Sequence, residues 1–163
     1  FKAYEAEKKG FNLMRPGSAA GLDGAIARAY ERQEGFITYY WAPTALLGRY
    51  DLVLLEPNAE QDAAEWQRCI TNLDCPDPKV TAWPVDTVMT VVTKAFADRI
   101  HPAIMDYFNT RGWSNDTVAS LMAWQAENQA MGEDAALHFL EENKDIWTKW
   151  VPAEVAEKVE AAL

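Results

Sequence analysis

Residues 36–55 constrain the fold of this chain more than any other stretch. Phe36-Ile37-Thr38-Tyr39-Tyr40-Trp41 is aromatic and β-branched throughout, and Pro43 stands two positions beyond it. Such side chains suit a pleated, half-buried backbone, whereas a proline lacks the N–H that would continue a ladder. The run therefore predicts a buried strand ending at Trp41, and Leu52-Val53-Leu54-Leu55 predicts a second. In an open α/β sheet, ligands sit in the crevice beyond the carboxyl ends of the strands. Trp41 is accordingly expected at a cleft. Tyr39 would share its face and Tyr40 would take the other, because successive strand side chains alternate.

The flanking segments predict an α/β unit followed by helices. Residues 11–15 make a candidate strand, which Pro16-Gly17-Ser18 breaks; Leu22, Ile26, Ala29 and Tyr30 then recur at helical spacing until Gly35. Ser18 has two readings. It caps its own helix, or its Gly-Ser turn offers free backbone N–H groups to a carboxylate. Residues 56–78 are polar, contain three prolines and both cysteines, and hold one candidate helix from about 58 to 70. Residues 80–93 are rich in Val and Thr and read as one extended segment, interrupted by Trp83-Pro84, which cannot sit inside a central ladder. From Lys94 the pattern turns helical, with starts at His101-Pro102, Ser114, Gly132 and Pro152. The expected division is an α/β lobe over 1–80, the interrupted segment over 81–93, and a helical half over 94–163 that packs on a sheet supplied elsewhere.

The formal charge of −10 excludes a nucleic-acid partner, because a phosphate backbone demands clustered Lys and Arg that are absent here. No run of 18 apolar residues occurs, so no helix is expected to insert in a membrane. Cys69 and Cys75, six apart, suit a small disulfide-closed loop in an oxidising compartment, with two unrelated thiols as the other reading; a zinc site would want four ligands and closer pairs. Catalytic patterns are missing: there is no Gly-x-Ser-x-Gly elbow, phosphate loop or His-Glu-x-x-His. His101 and His138 read as packing or surface residues, and no cofactor, metal or catalytic residue is expected. Five of the seven tryptophans read as core, Trp83 is ambiguous, and Trp41 stands apart because it ends a strand beside two tyrosines.

The order Tyr-Tyr-Trp-Ala-Pro, Gly-Arg-Tyr-Asp-Leu, then an apolar run closing in Glu-Pro resembles the periplasmic substrate-binding proteins of ABC importers for glycine betaine, choline, proline and related osmolytes. The resemblance runs from Pro16 to about Leu163, and because a similar aromatic-Pro-Val segment follows the central strands in that family, it implies a hinge or crossover over residues 81–93. It implies an α/β, type II periplasmic-binding-protein-like (Venus flytrap) fold. This chain looks like a carboxyl-terminal portion of it, with a mixed sheet first and helices after. It also implies a box of aromatic rings around a quaternary ammonium group, with Trp41 as one wall and Tyr40, Tyr39, Ser18 and Thr44 beside it, and the remaining rings and carboxylate donors upstream. Many members read Trp-Thr-Pro-His-Trp, whereas here Thr44 and Ala45 follow the proline, so choline, proline betaine and trimethylamine oxide stand beside glycine betaine as ligands. The implied partners are a methylated amine or betaine and an ABC permease in the inner membrane, and the implied location is periplasmic. The alternative is a regulatory or enzymatic α/β domain in which Trp41 is core.

Overall fold

The computed structural model describes residues 1–163, and none of them lies in a strand. This overturns the expected α/β class with a mixed sheet. The runs 36–41 and 52–55 make no backbone–backbone hydrogen bond to any other segment, and neither do residues 83–92. A strand exists only through such bonds to a neighbour. β-Branched and aromatic content records a preference for burial in a ladder, but it does not supply the facing strand. Val85 and Val88 are consequently more than 90% exposed, at 94% and 92%.

The helices follow capping chemistry. A 3-10 turn, Ala6–Lys9, sits between left-handed Glu5 and Gly10. Then come α1 (Ala19–Glu31), α2 (Ala45–Arg49) and α3 (Ala63–Glu65), the last continuing into a π turn, Trp66–Ile70. After the irregular stretch follow α4 (Lys94–Ala97), α5 (Pro102–Thr110), α6 (Asn115–Asn128), α7 (Gly132–Glu142), α8 (Lys144–Trp147), a 3-10 turn and α9 (Ala153–Glu160). The Ser114 hydroxyl accepts from Thr117 N at 3.0 Å and opens α6, while Pro102 occupies the first turn of α5, where a missing N–H costs nothing. Asp134 reaches back to accept from Met131 N at 2.8 Å and so satisfies a donor at the start of α7.

The chain divides into two compact units. One contains residues 1–25 and 53–88. Its Cys69 and Cys75 sulfurs are bonded, with Cα atoms 5.3 Å apart, and its Trp66 and Trp83 rings meet edge to face at 5.1 Å. The other contains residues 26–52 and 89–163. Its core is Phe139, Trp147 and Ala156, with Leu140, Trp150 and Val159 packed around them. Trp150 stacks on Phe139 at 5.6 Å and meets Trp113 edge-on at 4.9 Å, and the Trp147 indole N–H donates to Leu140 O at 2.7 Å. Aromatic burial on this scale, with the polar indole edge satisfied, is what holds a helical unit together.

Candidate functional site

Trp41 projects from an irregular segment that α2 anchors. Immediately after it the Ala42–Pro43 peptide is cis, and Thr44, buried, caps α2 by accepting from Leu47 N at 3.3 Å. α2 packs on α6. Contact is closest at Gly48, where an added Cβ would overlap the Ala119 carbonyl. Only glycine permits that approach. Arg49 adds an ion pair to Glu127 of α6 at 3.4 Å, and Tyr50 donates to Glu31 at 3.0 Å while its ring lies 4.7 Å from that of Tyr30. Burial, followed by the Glu31 carboxylate, pushes the Tyr50 phenol above its ordinary value. A five-residue helix is thereby tied down at both ends, and it fixes where the preceding aromatic run emerges.

Both tyrosine rings of that run lie against Trp41. Tyr40 stacks on Trp41 with centroids 4.6 Å apart and planes 26° from parallel, and Tyr39 lies 5.9 Å from Trp41 at 35°. The strict alternation expected of a strand is therefore not followed. With no ladder to hold a flat pleat, adjacent side chains are free to swing onto each other. Trp41 remains 44% exposed, which does not fit a core indole. Beside Ala42 lies a recess of about 190 Å3, bounded by Leu47 and Gly48 on one side and by Asn115, Asp116 and Ser120 of α6 on the other. It offers an amide, a hydroxyl and one carboxylate, and no cationic side chain.

The other residues singled out in the sequence stand elsewhere. Ser18 belongs to the other unit, where its hydroxyl accepts from Gly21 N at 3.0 Å and caps α1, after a Gly17 with a positive φ of 77°. Sequence reasoning passed over the polar centre of that unit, Glu65. Its side chain is 4% exposed and accepts from Arg68 Nε at 2.8 Å, Arg68 Nη2 at 3.0 Å and Lys79 N at 2.8 Å. Arg68, and after it the Lys79 backbone, hold the Glu65 carboxyl below its ordinary value, while Glu65 and Asp77 together raise the Arg68 guanidinium. The i, i+3 spacing of Glu65 and Arg68 was the available signal. Also missed was Arg111, whose guanidinium lies 5.0 to 5.5 Å from the ring centres of Tyr107, Phe108 and Trp113 and donates to Thr90 Oγ1 at 2.9 Å. That cation is already held by the chain's own rings.

Residues 1–142 match OpuAC, described as the substrate binding domain of ABC-type glycine betaine transport system. No curated protein matches the chain.

Proposed function

The chain belongs to the OpuAC family of substrate-binding domains of ABC-type glycine betaine transport systems, and we propose that it holds the methylated ammonium group of its solute against the ring face of Trp41. A substrate-binding domain delivers solute to a transporter, so the protein is a binding component and not an enzyme. Its working side is the extracytoplasmic one, and in our reading that is the periplasm, with a membrane permease as the receiving partner.

A trimethylammonium group has no N–H to donate, so its recognition rests on aromatic faces that exclude water. The observation that carries the reading is the half-exposed indole of Trp41, backed by Tyr40 and Tyr39 and set on an anchored segment. Tyr40 and Tyr39 stiffen the ring, so little freedom is lost on binding. The adjacent recess favours the cationic end of a solute, because Asp116 attracts it and repels a carboxylate. One ring contributes ~0.5 to 2 kcal/mol, against the ~8 kcal/mol that micromolar affinity requires. Further rings, and the donors for a betaine carboxylate, therefore lie outside residues 36–44. Thr44 orients the wall through its cap.

The test is isothermal titration of the full-length protein with glycine betaine, choline, proline betaine and trimethylamine oxide, with glycine as the unmethylated control. Binding of at least one methylated solute with glycine silent is the expected result. Equal binding of glycine would contradict recognition through the methyl groups.

A further inference from the structure

The disulfide-closed turn over residues 69–75 presents one leucine in a way that packing does not require. Leu73 is 93% exposed. Its backbone surroundings are fixed: Asn72 N donates to Cys69 O at 3.0 Å, Cys75 N donates to Asn72 O at 3.1 Å, and Asp74 N donates to Asn72 Oδ1 at 3.0 Å. The base of the turn is fixed as well. Lys2 Nζ donates to Cys75 O at 3.2 Å, and Arg68 donates through Nη1 and Nη2 to Asp77 Oδ1 and Asp77 O, both at 3.1 Å. Val85 and Val88 are equally exposed, but their backbone makes no hydrogen bond, so nothing holds them out. Beside Leu73, the Asp74 carboxylate enters no ion pair or hydrogen bond.

We infer that this turn is a docking knob for the membrane-spanning permease of the protein's own importer, with Leu73 seated in a shallow apolar socket and Asp74 paired to an Arg or Lys on its rim. The inference rests on the transport reading above. An apolar side chain on a rigid apex loses little conformational freedom on binding, which is what makes an anchor residue effective. Charge selects the partner. The chain carries −10, so a second copy and an anionic lipid surface both repel an acidic knob, whereas a basic protein surface steers it in.

The experiment uses the importer in lipid nanodiscs and measures how much full-length binding protein, saturated with its solute, half-maximally stimulates ATP hydrolysis. Leu73→Ser and Asp74→Lys each raise that concentration by about ten-fold or more, a hot-spot-sized effect. Leu73→Met, which keeps an apolar tip, stays near wild type, and all three variants bind solute as wild type does. Half-saturation by either Leu73→Ser or Asp74→Lys within about three-fold of wild type overturns the docking assignment. A wild-type protein that never stimulates hydrolysis with any methylated solute overturns the transport reading instead, and that result is seen before any variant is compared.

Discussion

Gly48 of α2 lies so close to the Ala119 carbonyl of α6 that a side chain of even one carbon would overlap it. The contact fixes α2, and through the Thr44 cap it fixes the segment that carries Trp41. Backbone cannot move aside as the tip of a flexible side chain does. Gly48→Ala should therefore cost about 1 to 3 kcal/mol in a urea titration, the range for overpacking. It should also weaken solute binding by the full-length protein, although residue 48 lies outside the aromatic run. Wild-type stability in Gly48→Ala would mean that α2 and α6 are less closely held than the contact indicates.

The buried Glu65 gives the protein an acid sensitivity of predictable sign. Its folded carboxyl titrates below the ordinary value of 4.5, so the stability it contributes is fully present above that pH and is lost as pH falls through the folded value. Glu65→Gln keeps the shape and removes the charge. The variant should be less stable than wild type at neutral pH, and the difference should shrink as the pH is taken down through the acid range below 4.5. Urea midpoints at neutral and at acid pH measure this. A constant gap would place the cost in packing alone and not in ionisation.

The link between Cys69 and Cys75 closes a short loop, and loop-closure entropy for that length amounts to about 2 kcal/mol. Protein isolated without reductant should be lighter than its reduced form by the mass of two hydrogens. Reduction should lower the urea midpoint. Two freely alkylating thiols in exported, unreduced protein would refute the link.

The helices after residue 100 were legible because their boundary signals are local, whereas α2 was not foreseen. Ser114 opens α6 and Pro102 opens α5, each through chemistry confined to one turn. The aromatic run 36–41 was not legible as structure, because its strand propensity needs a facing ladder that no local signal specifies. Loss of that ladder also undid the expected alternation and brought Tyr40 onto Trp41. The recess beside Ala42 joins residues about 70 positions apart in the chain, and no spacing rule pairs Gly48 with Ala119 in advance. Family resemblance reached further than periodicity here. The order of the aromatic and proline motifs pointed to the family that residues 1–142 match, although the reading of secondary structure in the same stretch failed.

Isothermal titration of the full-length protein and its Trp41→Ala variant, with whichever methylated solute binds wild type, tests the central claim most directly. Trp41 is 44% exposed, so its removal leaves the fold intact while taking away the proposed wall. The account predicts a loss of about ten-fold or more in affinity, corresponding to a cation–π contact of ~1.4 kcal/mol or greater. An unchanged affinity would contradict it and would leave Trp41 with no part in holding the solute.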